Sequence, residues 1–138
     1  MTEIARSGKW NPGGGRWLEL LPVALLATAN WTRIYCSPET LLYRDSAATT
    51  DNGKLHTTEI KGYSPDDSPA KAAAIESFLS YEKCLARFCD NQGLVRLAGT
   101  ASEPLSFSYE LTTDTEVAGS RGYSLSLVGT LTTPPAYA

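Results

Sequence analysis

Residues that carry chemistry are scarce in this chain. His56 is the only histidine, so any histidine-based proton transfer or nucleophilic triad would rest on that single side chain. No carboxylate lies at a suggestive sequence spacing from it, and His56 reads as a surface or satisfied structural histidine. The three cysteines, Cys36, Cys84 and Cys89, are an odd number without metal-ligand spacing. Cys84 and Cys89 are five positions apart, so on one strand they face opposite sides and cannot bridge. Small buried thiols are the expectation, with a bridge from Cys36 to one of the others left open. Positive charge is also short: 12 basic residues against 15 acidic ones give a net charge of −3 and a pI near 5.1. No run of Lys or Arg forms a stripe, which argues against electrostatic binding of nucleic acid.

Long apolar runs are missing too. Residues 17–29 are the most hydrophobic stretch and are too short to span a bilayer. Arg6, Lys9 and Arg16 before it, and small residues at its end, imitate a secretory signal. Glu19 inside the run and the Pro12-Gly13-Gly14-Gly15 opening speak against one; the segment is expected to be a strand entering the core. Other candidates for chemistry have ordinary explanations. Gly13-Gly14-Gly15 has no GK[ST] after it and no strand before it, so it is not a phosphate loop. Asp66-Asp67 suits the positive end of a helix dipole, and no second acidic or histidine cluster supports a metal. Asn30-Trp31-Thr32 matches the glycosylation pattern but falls in an expected core strand. No catalytic residue, cofactor or metal is expected, and no membrane association.

What is present is a β-rich pattern. With 138 residues, 42% of them hydrophobic and 20% charged, the chain is one domain large enough for its own core. Leu105-Ser106-Phe107-Ser108-Tyr109-Glu110-Leu111 and Tyr123-Ser124-Leu125-Ser126-Leu127 alternate large apolar with small polar residues. Each predicts a strand with one face on a core and a Ser/Glu face outward. The linker between them, rich in Thr, Ser, Gly and Asp, predicts an exposed hairpin tip. Earlier in the chain, strands are predicted over residues 16–21, 31–36 and 55–63, with a short one at 41–43. Asn52-Gly53 is a hairpin turn signal and Gly62 a bulge or bend. Residues 23–29 are open between helix and strand. Ser68 as cap and Pro69 at the first position predict a helix over about 69–80, with Ala74, Ile75, Phe78 and Leu79 as its apolar stripe. Residues 83–89 and 93–97 form a further hairpin turning at Gly93. Residues 1–15 read as an arm carrying Trp10, residues 16–133 as a single domain, and residues 134–138 as a tail stopped by Pro134 and Pro135. The fold class is α+β and β-rich: an antiparallel β-sandwich or partly rolled barrel with one flanking α-helix.

The Ser/Thr strands of the last hairpin lack the Lys and Pro that normally guard exposed edges. Their edges are therefore expected to be covered by other copies. The residues expected at such an assembly interface are Trp10 and Arg16 in and after the arm, Ser106, Ser108 and Glu110 on one strand, Asp114, Glu116 and Arg121 around the tip, and Ser124 and Ser126 on the return strand. A different class of reading is a carbohydrate- or cell-surface-binding β-sandwich that uses exposed tyrosines and tryptophans.

Several segments carry a family resemblance: Gly62-Tyr63-Ser64-Pro65-Asp66, the short Ala-rich helix, Phe88-Cys89-Asp90-Asn91-Gln92-Gly93, Leu97-Ala98-Gly99-Thr100, Pro104-Leu105-Ser106-Phe107, Gly122-Tyr123-Ser124-Leu125-Ser126-Leu127, and the Pro134-Pro135-Ala136 ending. In this order the chain resembles small tail structural proteins of tailed bacteriophages and prophages, as does its Gly-Gly-Gly-x-Trp-Leu opening. The resemblance implies a tail-tube-like fold whose copies join into a homo-oligomeric ring through a continuous sheet, with rings stacked by arms and loops. It implies a place in the virion, other tail or connector proteins as partners, and a lumen through which DNA passes without specific binding. Tube, tube terminator, distal-tail and head–tail joining roles all remain open.

Overall fold

The computed structural model describes residues 15–28, 30–37, 40–51, 53–65, 68–113, 121–134 and 136–137. Strand β1 (Gly15–Pro22) turns Leu18 and Leu20 fully into the core and leaves Trp17 and Glu19 on the outer face. Pro22 has no N–H to continue the ladder, and the chain there passes into a 3-10 turn, Val23–Thr28, with no buried side chain. Thr28 closes that turn by donating its hydroxyl to the Leu25 carbonyl at 2.7 Å. The apolar stretch thus enters the core as the strand expected over residues 16–21 and leaves it at Pro22, and residues 23–28, open between helix and strand from the sequence, take the 3-10 turn.

After β2 (Thr32–Ile34) come β3 (Leu42–Thr50) and β4 (Gly53–Pro65). They form the hairpin expected at Asn52-Gly53, in register from Thr50↔Gly53 to Leu42↔Lys61; Asn52 itself lies outside the described residues. β3 is nine residues long, far beyond the short strand predicted at 41–43. The expected bulge at Gly62 is absent, because β4 keeps one unbroken register with β8 from His56 to Pro65. Gly62 instead permits a close approach: a Cβ there would lie 2.8 Å from Cys36 Sγ and 2.9 Å from Leu41 Cδ2.

Helix α1 (Pro69–Tyr81) starts as its cap predicts, with Ser68 Oγ accepting the Lys71 N–H at 3.1 Å. Ile75 and Phe78 are buried, with Ala72 and Leu79 packed beside them. Ala74, expected in the stripe, is exposed, since the buried face centres on Ile75 and Phe78. Glu82, at φ +64°, reverses the chain directly after the helix. β5 (Lys83–Asp90) and β6 (Val95–Ala98) follow. Asp90 ties their turn: it accepts N–H groups of Gln92 at 2.9 Å and Leu94 at 3.0 Å, and Arg96 at 2.8 Å. β7 (Leu105–Thr113) and β8 (Arg121–Leu131) make the long hairpin. Ala136–Tyr137 adds a short β9 to β6: part of the expected tail pairs at a sheet edge.

The antiparallel sheet is open, in the order β2-β1-β5-β7-β8-β4-β3, with β6 and β9 branching from β5. β5 and β7 share only the pairs Lys83↔Ser106 and Cys84↔Leu105. That short seam divides the sheet into two wings, β2-β1-β5-β6-β9 and β7-β8-β4-β3. Both wings contribute to one core, in which Leu18, Leu20 and Phe88 join Ile60, Leu125 and Leu127. Tyr43 of β3 stacks on Phe88 of β5 at 5.4 Å between ring centroids, so the wings curl toward each other. α1 fills the opening beside the seam, with Phe78 against Phe107 at 5.9 Å. The fold is β-rich α+β with one α-helix among the described residues.

Candidate assembly interface

Free sheet edges and two side-chain clusters are the features of this surface that offer interactions. The hairpin β7–β8, expected to offer its edges to other copies, lies inside the sheet: β8 is covered by β7 and β4. Ser124 and Ser126 therefore sit on an interior strand. With Ser106, Ser108 and Glu110 they lie on the face opposite the buried Leu105, Phe107, Tyr123, Leu125 and Leu127. That face continues across β4 and β3 through Lys61, Glu59, Thr57, Arg44 and Ser46. Lys83 Nζ donates to Ser106 at 2.8 Å at its border.

Beyond its short seam with β5, one side of β7 has no strand partner among the described residues. The Phe107 N–H reaches the Glu82 carbonyl at 3.0 Å, so Phe107 points its backbone away from β8. Alternate residues of a strand point the same way, and Tyr109 and Leu111 direct their backbone groups to that side, where no described strand pairs with them. Leu111 is 44% exposed. At the far end of the wing, β3 pairs only with β4 among the described residues. The Ser37 N–H bonds the Tyr63 carbonyl at 2.8 Å, which fixes the odd-numbered residues of β4 as facing β3. Their register partners Leu42, Arg44, Ser46, Ala48 and Thr50 face β4 in return. The backbone groups of Tyr43, Asp45, Ala47 and Thr49 consequently point outward along an open edge without Lys or Pro.

On the outer face of the other wing, two tryptophans are capped by guanidinium groups. Arg33 lies 4.4 Å from the Trp17 ring centroid and Arg87 lies 4.2 Å from that of Trp31. Glu19 bridges the two arginines at 3.4 and 3.1 Å. Strand pairing builds this ladder, since Glu19 sits opposite Arg33 on β2 and opposite Arg87 on β5. The Arg87 Nε–H is buried without a hydrogen-bond acceptor among the described residues. Beside the ladder, Arg16, Trp17, Arg33, Ile34, Tyr35 and Cys36 line a pocket of about 460 Å³, and Arg16 reaches across to the Asn91 carbonyl at 3.0 Å.

The second cluster lies where β3 and β4 meet β6. His56 Nδ1 is 3.5 Å from Asp45 Oδ2, a carboxylate that sequence spacing does not connect with His56. The hairpin register carries the signal: Ala47 pairs with His56, and Asp45 is the next residue on that face. Arg96 lies over the rings of both Tyr43 and Tyr137. Burial, reinforced by Asp45 and opposed by Arg96, pushes the Tyr43 phenol up to about 12. Burial alone would raise Asp90, but Arg96 and the turn N–H groups outweigh it and hold its carboxyl below the usual range. All three cysteines are free and buried. Burial raises the Cys36 and Cys84 thiols to about 11, which makes them poor nucleophiles at neutral pH.

Of the other sequence-predicted interface residues, Arg16 lines the pocket and Arg121 is exposed at the start of β8, paired with Thr113. Trp10, Asp114 and Glu116 lie outside the described residues. The exposed aromatics Tyr35, Tyr81 and Tyr137 are spread over different elements. No helix among the described residues is long and apolar enough to cross a membrane. Comparison with family models, curated proteins and solved structures finds no match to this chain.

Proposed function

We propose that this chain is a non-enzymatic virion structural protein, a subunit of a bacteriophage tail tube or tail ring that self-assembles by strand pairing and surrounds a conduit for DNA. The observation that carries the proposal is the pair of open edges on the β7-β8-β4-β3 wing. Its strands alternate in direction, so β7 and β3 run oppositely. A copy rotated about a common axis therefore presents its β7 antiparallel to this β3, and a four-stranded unit extends into a continuous antiparallel sheet. Pairing Asp45 with Tyr109 and Tyr43 with Leu111 joins the outward-facing backbone groups of both edges. The same register sets Arg44 opposite Glu110 on the polar face and brings exposed Leu111 against Tyr43. Such closure removes the association hazard of two unguarded edges. In this reading the wings form the β-sandwich or partly rolled barrel of a tail-tube-like protein, and its partners are further copies and other tail proteins.

Sedimentation velocity over a concentration series tests the proposal. Ring-sized species should grow at the expense of monomer as concentration rises; a single monomeric boundary throughout would refute it. The aromatic and arginine-lined pocket on β1 and β2 favours a second reading, a carbohydrate- or cell-surface-binding module, for which a monomer that binds glycans would be the signature.

A further inference from the structure

Three buried polar atoms without a hydrogen-bond partner among the described residues, Tyr43 Oη, His56 Nδ1 and Thr58 Oγ1, stand together on the β3–β4 hairpin. Register gathers them, since Asp45 is opposite Thr58 and Ala47 is opposite His56. Asp45 and Thr58 exchange no backbone hydrogen bonds, and in such pairs the Cα atoms approach to about 4.5 Å. Thr58 is fully buried, and its hydroxyl lies beside the Tyr43 phenol without the geometry of a hydrogen bond. The His56 and Asp45 side chains are only 13% and 27% exposed. A buried polar atom without a partner costs stability, so three of them at one place point to a ligand.

The spacing of His56 and Asp45 sets the class of that ligand. The 3.5 Å between Nδ1 and Oδ2 exceeds the roughly 2.7–2.9 Å of a charge-assisted N–H···O bond. It matches two donors on one metal ion: at about 2.0–2.2 Å from a tetrahedral zinc, neighbouring ligand atoms stand roughly 3.4 Å apart. An imidazole nitrogen with a carboxylate oxygen is a donor pair suited to zinc and its first-row neighbours. Arg96, which lies over the Tyr43 ring, has its charge compensated by Asp90 at 2.8 Å. A pocket of about 440 Å³, lined by Thr49, Lys54, His56 and Thr132 among others, gives solvent access to the imidazole.

We propose that His56 Nδ1 and Asp45 Oδ2 bind one first-row divalent transition ion, with zinc as the type case. No third acidic, histidine or cysteine side chain completes a metal cluster with them among the described residues, so water entering from the pocket fills the remaining positions. The Thr58 and Tyr43 hydroxyls hydrogen-bond that water and orient it, as outer-shell groups commonly do. The ion ties edge strand β3 to β4 through side chains, in addition to the backbone ladder. Sequence spacing conceals such a site because the hairpin register, not proximity along the chain, joins its two ligands. The site is complete within one copy and does not depend on assembly.

Isothermal titration calorimetry of the untagged full chain with Zn²⁺ tests the site. One equivalent should bind saturably and raise the melting temperature, because an ion that binds only the folded state stabilises it. His56→Gln and Asp45→Asn should each weaken binding at least about tenfold, whereas Glu59→Gln, on the opposite face of β4, should leave it unchanged. Near-ultraviolet circular dichroism checks that each variant is folded; should His56→Gln fail to fold, Asp45→Asn on the edge strand carries the test. Cobalt(II) in place of zinc should give the visible bands of a nitrogen- and oxygen-ligated ion. A thiolate-to-cobalt charge-transfer band would assign the metal to a cysteine and overturn the proposal. So would the absence of saturable binding by the wild type, or an affinity unchanged in the folded ligand variants.

Discussion

Asp45→Pro is the substitution that separates folding from assembly most cleanly. Asp45 points its N–H away from β4, so proline there removes no ladder bond of the monomer, whose β3–β4 bonds run through Arg44 and Ser46. Within the monomer the change removes the 3.5 Å approach of Asp45 to His56, a partly exposed pair worth about 0–1 kcal/mol. In the proposed assembly, Asp45 and Tyr109 would form one of two hydrogen-bonded pairs, each contributing two bonds, at about 0.5–1.5 kcal/mol per bond. Proline deletes the Asp45 N–H and with it one of those bonds, which costs each interface about 0.5–1.5 kcal/mol and weakens it roughly 2- to 13-fold, and the proline ring further obstructs the approach of the neighbouring strand. Thermal unfolding should change by no more than a few degrees, while sedimentation velocity should show monomer at concentrations where the wild type associates. Ser46→Pro is the opposite control, because its N–H faces β4; it should lower the melting temperature strongly. Unchanged association of a folded Asp45→Pro protein would refute the edge assignment.

Two further predictions probe the scaffold. Phe78→Ala removes the buried ring that holds α1 to Phe107 and should destabilise the monomer by about 3–5 kcal/mol in denaturant titration; a decrease below about 1 kcal/mol would mean that the helix does not depend on this packing. Asp90 has a folded-state pKa below its ordinary value. Its stabilising contribution is therefore present at neutral pH and is lost as pH falls through the acidic range below 3.8. Asp90→Asn should flatten the acid limb of the stability–pH curve, and an unaltered limb would contradict the turn network.

Local chemistry makes part of this fold legible. The Ser68-Pro69 start of α1, the period-two runs of β7 and β8, the hairpin at Asn52-Gly53 and the Gly93 turn each combine a residue preference with a short-range contact, and all four elements are present in the structure. β3 outruns its sequence signal because Ala47-Ala48-Thr49-Thr50 has no apolar alternation; it extends because β4 templates it along an unbroken register. Residues 23–28 carry apolar side chains that stay out of the core, so hydrophobicity misleads there. Strand order is beyond local reasoning. That β7–β8 lies inside the sheet depends on pairing with β4, nearly 70 residues earlier at Ile60↔Leu127, and the Trp17–Arg33 and Trp31–Arg87 contacts depend on β1 separating β2 from β5. The Ser/Thr face is legible as an outward face, whereas the free edges that make a candidate interface emerge only from the assembled register.

Negative-stain electron microscopy of the purified protein across a concentration series tests the central claim most directly. Rings or tubes with an open lumen, increasing with concentration and abolished by Asp45→Pro, are the predicted result. Featureless monomer-sized particles at every concentration would contradict it.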